Sequence, residues 1–265
     1  KNAAFLELSA RNDWSSTLPK ENNSFLYGAV GASAVLNELF SIENNVLSFA
    51  KVRTSYGTTG KDAGLYLLAT QYAGNPDIVG LGDYTLSLPW LGQPGFTTGN
   101  RIGNPTLEPE LTKTFEIGAD LGFFNERINL SYTYYSSVHS NQIINVSLPA
   151  SSGFTTTSKN IGEMTNKGHE ITLAVKPIEG LVEGLNLEIF GTYSKNVNEV
   201  TKVTDEIDEL IVGSFSTSAN SPALTLVAKE GLPFGTYRGI GQRKNAQGQT
   251  VVSSATGYPL ETVEE

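Results

Sequence analysis

Hydrophobic residues recur at every second position over long stretches of this chain. Phe115, Ile117, Ala119, Leu121 and Phe123 alternate with Thr114, Glu116, Gly118, Asp120 and Gly122. Ile128, Leu130, Tyr132 and Tyr134 alternate with Asn129, Ser131 and Thr133. The pattern returns in Ile171, Leu173 and Val175, and again in Leu185, Leu187 and Ile189. A period of two is that of half-exposed antiparallel strands, whose side chains point to opposite faces in turn. Weaker stretches at 3–13, 25–36 and 46–56 bring the expectation to about seven strands. Helical periodicity is absent at comparable strength; 205–210 offers one turn at most.

The connections sharpen this picture. Phe124-Asn125-Glu126-Arg127 reads as a tight turn and 177–184 as another, and 37–45 is also a short connection. The others, at 14–24, 57–111, 146–166 and from 200 onward, read as longer loops rich in Gly, Pro, Ser, Thr and Asn. Strict alternation of short and long connections is expected of an up-and-down barrel in an outer membrane, with turns on one side and long extracellular loops on the other. A structureless loop as long as 57–111 would count against a compact soluble domain.

The two faces then need different surroundings. Glu116, Asp120, Glu170 and Glu188 are costly to bury and need water. The apolar positions need a second sheet or lipid. Phe123, Phe124, Tyr132, Tyr134, Tyr135 and Tyr193 near strand ends suit the aromatic girdles of a membrane barrel. Ile117, Leu121, Leu130, Leu173 and Leu187 are therefore expected to meet lipid, and Glu116, Asp120, Glu170 and Glu188 the lumen.

Composition agrees. The mean hydropathy of the 265 residues is −0.16, which suits an average over two opposed faces. No 18-residue run is free of polar residues, which excludes a transmembrane helix but not a transmembrane strand. The net charge of −9 argues against nucleic acid as a partner. With no cysteine, disulfides, thiolate zinc sites and cysteine nucleophiles are excluded. The first residues have no signal-peptide pattern and read as the middle of a strand, and 261–265 close no element. The expectation is a piece of a longer chain.

Catalytic chemistry finds no frame. Gly57-Thr58-Thr59-Gly60-Lys61 lacks the spacing of a phosphate loop, and Asp62 follows the lysine where Ser or Thr is required. His139 and His169 fall on or beside different strands and suit hydrogen bonding at strand ends rather than a metal site. No serine has a His–Asp context, and no carboxylate pair sits in an acid–base frame. The chain reads as a non-enzyme without a cofactor. The acidic run Asp205-Glu206-Ile207-Asp208-Glu209 is solvated loop surface, with a loop calcium as the alternative. Trp14 and Trp90 fall in expected external loops, where an aromatic face could stack on a sugar or touch a partner, with loop packing as the plain alternative. Tyr237 and Arg238 are weaker candidates of the same kind.

Several phrases, in order, resemble SusC/RagA-type TonB-dependent outer-membrane transporters of Bacteroidota. They are 11–19 with 22–27, Val52-Arg53-Thr54-Ser55-Tyr56-Gly57, Asn104-Pro105-Thr106-Leu107-Glu108-Pro109-Glu110, and Leu121 to Leu130. Further on come Leu148 to Phe154, Asn160-Ile161-Gly162, Asn166-Lys167-Gly168-His169-Glu170, and Gly231 to Gly239. The resemblance spans most of the chain and implies a slice from the later half of a barrel of roughly 22 strands. On this reading 1–265 is barrel throughout, and the family's plug domain and TonB box have no counterpart in it. It also implies a surface SusD-like lipoprotein partner, an oligosaccharide or peptide cargo, and energy from a TonB complex acting through the plug. One rival is a siderophore or cobalamin receptor, against which the phrases at 11–19 and 231–239 speak. The other is a secreted β-rich adhesin or carbohydrate-binding module.

Overall fold

The computed structural model describes residues 3–74, 79–81, 84–86, 88–89, 91–182, 184–204, 209–215 and 224–260. The chain divides into two compact units, Lys1–Asn198 and Glu199–Glu265. A seven-stranded antiparallel sheet dominates the first. Its strands are β1 (Ala4–Trp14), β2 (Ser24–Val35), β3 (Leu47–Lys61), β4 (Glu110–Phe123), β5 (Ile128–Ser140), β6 (Glu163–Val182) and β7 (Leu185–Lys202). They pair in sequence order, each with the next, and β1 and β7 form the two edges of an unclosed sheet. This is the up-and-down, partial-barrel architecture expected from the period-two pattern.

The register carries that pattern across the strands. Leu6, Ala32, Thr54, Ile117, Tyr134 and His169 lie in one row of cross-strand partners, and Leu121, Leu130 and Leu173 lie in another. Directly paired residues share a face, so these rows build one continuous apolar surface. It stays open: Leu8 is 72% exposed and Ile117 48%. The intervening positions build the polar face. Glu7, Gly31, Ser55, Glu116, Tyr135 and Gly168 make one row, and Asp120, Ser131 and Thr172 another.

Several connections differ from expectation. Gly57–Lys61, expected in a loop, completes β3, with Gly57 opposite Thr114 and Lys61 opposite Glu110. Strand β6 is longer than the expected 170–176 and runs from Glu163 to Val182, because Asn166 and Lys167 pair with Ser137 and Ser136 of β5. The alternation of short and long connections is not strict. The connection 15–23 is no longer than 36–46, because the latter contains a short helix, α1 (Leu36–Phe40), that turns off at Ser41 with φ 52°. The turn after β4 is tight as expected. Phe124, Asn125 and Glu126 all adopt positive φ (54°, 58° and 62°). Hydrogen bonds hold it, from the Phe124 amide to the Val46 carbonyl (2.9 Å) and from Asn129 Nδ2 to the Glu126 carbonyl (2.9 Å).

The loop ends of these strands gather into a layer with its own core. Leu18, Ala63 and Leu107 are buried, with Phe25, Leu67, Leu68 and Ile143 packed against them. Within the loops, Ile143–Ser147 pairs with Thr156–Asn160, which pairs in parallel with Arg101–Ile102.

In Glu199–Glu265, β8 (Glu209–Ser214), β9 (Thr225–Lys229) and β10 (Thr236–Arg238) form a three-stranded sheet in that order. The buried apolar residues of this unit include Val203, Leu210, Val227 and Ala228, together with Val200 near the end of β7.

Candidate functional site

The polar face of the seven-stranded sheet gathers the charged side chains. Arg53 of β3 is its centre. Its Nε lies 3.6 Å from Asp120 Oδ2, and its Nη2 donates to Thr133 Oγ1 at 2.6 Å. Ser131 Oγ donates to the other Asp120 oxygen at 2.7 Å. Thr133 is on β5, so the guanidinium crosses the whole of β4. It does so over Gly118, which sits between Arg53 and Thr133 in the register. A Cβ placed on Gly118 would lie 3.0 Å from Arg53 Cζ and 2.9 Å from the Tyr132 carbonyl oxygen. The missing side chain is what opens the passage.

The same device recurs one strand pair further on. Tyr135 of β5 lies over Gly168 of β6, where a Cβ would come within 2.5 Å of the phenol oxygen. Its hydroxyl donates to Asn196 Oδ1 of β7 at 3.3 Å. Glycines on the polar face thus let long side chains tie strands that are not neighbours.

Beside Arg53 lies a cavity of about 240 Å³, lined by Phe5, Glu7, Ser33, Lys51, Arg53 and Glu116 among others. It presents both charge signs and an aromatic edge. Arg53 and Asp120 are each about a third exposed (36% and 32%), so their attraction is screened and contributes little stability. The arrangement leaves donors and acceptors open to water.

Of the expected residues, Glu116, Asp120 and Glu170 share this face, through the pairs Glu116–Tyr135, Asp120–Ser131 and Glu170–Thr133. Ile117, Leu121, Leu130 and Leu173 share the opposite one. Glu188 and Leu187 occupy alternate positions on β7. Trp14 is not in a loop. It is the last residue of β1, opposite Ser24, on the face of Leu6 and Leu8, and it is 72% exposed. Alternation places it there. Trp90 lies outside the described residues. Tyr237 and Arg238 sit together on β10, where the Tyr237 ring meets Phe215 at 6.4 Å and Arg238 pairs with Glu209. Lys229 approaches the same carboxylate at 3.7 Å. Of the acidic run, only Glu209 lies among the described residues.

His139 does tie strand ends. Its Nδ1 meets Thr112 Oγ1 at 3.0 Å, and its Nε2 meets Asn166 Nδ2 at 3.2 Å, which links β4, β5 and β6. Arg53, Lys51 and Glu7 were not singled out from the sequence. The signal for the first two was the alternation of Lys51, Arg53 and Ser55 with Ala50, Val52 and Thr54.

The phrase Asn104 to Glu110 proves to be a fastening. Asn104 donates to the Ser158 carbonyl (2.9 Å) and accepts from the amide of Thr106 (3.0 Å). Leu107 is completely buried. The Glu108 amide donates to Asn160 Oδ1 (2.8 Å). Glu110 accepts from Lys61 Nζ and the Ile143 amide, both at 2.9 Å.

A two-faced, edge-open meander of this kind has close counterparts. The family model described as "TonB dependent receptor-like, beta-barrel" matches residues 4–258. The chain belongs to this family. The TonB-dependent receptor P3 of Formosa agariphila is 27% identical over 258 residues, covering 94% of this chain and 24% of that protein. The TonB-dependent receptor SusC of Bacteroides thetaiotaomicron is 28% identical over 204 residues, covering 73% of this chain and 19% of that protein. The chain therefore spans about a quarter or less of these relatives. The structure of the RagAB peptide transporter superposes with a TM-score of 0.75 at 23% identity, covering 98% of this chain and 27% of that one. The fold is that of a TonB-dependent barrel, and the resemblance to SusC/RagA-type proteins read from the sequence holds. The barrel belongs to the outer membrane of Gram-negative bacteria. No described helix is long and apolar enough to cross a membrane.

Proposed function

We propose that this chain is wall throughout, part of the barrel of an outer-membrane importer for oligosaccharides or peptides. The importer works with a SusD-like surface lipoprotein and draws energy from a TonB complex through a plug carried elsewhere in the protein. The observation that supports this best is the sorting of the sheet into two faces. The apolar face, with Leu6, Leu8, Ile117 and Leu173 exposed, suits hydrocarbon. The opposite face, with Arg53, Asp120, Glu116 and Glu170, suits a water-filled lumen through which a polar solute moves. Family membership and the RagAB fold support the transport reading and count against a freely soluble adhesin. The role is passage, not bond-making.

The test is uptake by living cells. Deleting the gene should abolish import of either labelled oligosaccharides or labelled peptides, and a strain lacking TonB function should show the same loss. The protein should co-purify in detergent with a lipoprotein encoded beside it. Undiminished uptake of both cargo classes, or extraction of the protein without detergent, overturns the proposal.

A further inference from the structure

The long loop between β3 and β4 carries a short ladder of its own, in which Tyr72–Gly74 pairs with Phe96–Thr98. The register sets Tyr72 opposite Thr98 and Gly74 opposite Phe96, so these four residues share one face. That face looks outward. All four are exposed, Tyr72 at 68% and Phe96 at 73%, whereas Thr97 on the other face is half-buried. The Phe96 ring lies over Gly74, where a Cβ would come within 3.2 Å of Cε1. The glycine lets the ring lie down beside Tyr72, its diagonal neighbour at roughly 7–8 Å.

Both feet of the ladder are tied down. The Gly99 amide donates to the Gln71 carbonyl and the Asn104 amide to the Leu67 carbonyl, both at 2.9 Å. Leu67 and Leu68 pack on the loop core. The Asn100 carbonyl accepts from the Thr155 amide at 2.8 Å. Two adjoining rings are thus held in water on a fixed support, and they lose little freedom when a ligand covers them. Their surroundings select that ligand. Residues 63–100 contain no lysine or arginine, and their acids are Asp77 and Asp83. An anionic group finds no counter-charge in this stretch. An extended peptide docks along a strand edge, whereas this ladder presents a face of rings and hydroxyls.

We infer that this face is a stacking platform for neutral sugar rings of an oligosaccharide cargo. The C–H face of a pyranose lies on Phe96 and Tyr72, and its hydroxyls meet the neutral hydroxyls of Thr98 and Tyr72. The inference rests on the proposed importer reading and selects one of its two cargo classes.

The experiment uses the complete transporter in detergent, with bound probe read by native mass spectrometry. The probes are neutral hexasaccharides of glucose, mannose, galactose and xylose, a uronic-acid hexasaccharide, and a mixed peptide library. At least one neutral hexasaccharide should bind, and more tightly than the uronic one. Tyr72→Ala and Phe96→Ala should each weaken it about fivefold, the size of one aromatic contact. Gly74→Val, which displaces the Phe96 ring, should weaken it as well. Tyr72→Phe should retain most of the affinity, and Thr97→Ala, on the other face, all of it. Failure of every neutral probe to bind, a preference for the uronic probe, or unchanged affinity in both alanine variants overturns the inference. Peptide binding with no sugar binding overturns it while leaving the importer reading intact. If gene deletion leaves uptake of both cargo classes undiminished, the importer reading itself fails, so the two failures are distinguishable.

Discussion

The sheet and the loop layer at its end solve the burial problem in opposite ways. In the sheet, the large apolar side chains of one face stand exposed, Leu8 at 72% among them. In the loops, Leu107 is 0% exposed and closes a small core with Leu18 and Ala63. A soluble protein does the reverse, with strands inside and loops outside. The loops meet water and must supply their own apolar interior. The sheet has a solvent of its own, so its face needs no partner within the chain.

That contrast can be broken at its strongest point first. Leu107→Ala should cost about 2–5 kcal/mol, the range for emptying a closed core, and the loss should be local. Hydrogen exchange should rise across 15–23, 62–69 and 104–109 while β4 and β5 stay protected. A loss spread evenly over the strands would erase the distinction between the regions.

Next in size is the sheet's own asymmetry. Leu121→Arg should cost ~2–4 kcal/mol when folding into lipid vesicles is followed in urea, whereas Asp120→Asn should cost little. Equal costs would mean that the two faces share one environment.

A smaller effect tests the crossing over Gly118. A Gly118→Val change puts a branched side chain where Arg53 passes. It should lower stability by about 1 kcal/mol, near the value of one hydrogen bond. Coupling to Arg53→Gln in a double-mutant cycle should be clear. Full additivity would show that the passage carries no energy.

The smallest effect concerns Trp14. Its fluorescence should be quenched by brominated lipid, and Trp14→Phe should remove that quenching with almost no change in stability. Quenching by a soluble oligosaccharide instead would return Trp14 to the solute path.

The sheet was legible because its physics is local. Alternation within one strand, as in Phe115 to Phe123, fixes which residues share a face, and seven such stretches correspond to seven paired strands. The glutamates of the polar face were legible for the same reason. The loop core was not: Leu18, Ala63 and Leu107 stand far apart in sequence and follow no period. Nor was the Arg53–Thr133 bond, which depends on a glycine one strand away. Trp14 was misplaced by a boundary error of one residue. Moving a strand end that far turns a loop aromatic into a strand-end aromatic on the apolar face. The resemblance marked Asn104 to Glu110 as a phrase, but its role appears only when the partners Ser158 and Asn160 arrive from another loop.

The fastenings lie at the base of the long loops. Ser15 and Thr17 donate to Asp62, Lys61 pairs with Glu110, and Asn104 and Glu108 hold the loop that carries Ser158 and Asn160. A loop tied at its roots transmits little of its interior to the strands, and lengthening it costs only a slowly growing closure entropy. The short ladder of Tyr72–Gly74 with Phe96–Thr98, beyond these ties, is therefore a natural graft point. Sequence there can be exchanged, shortened or given new binding character while the wall below keeps its register.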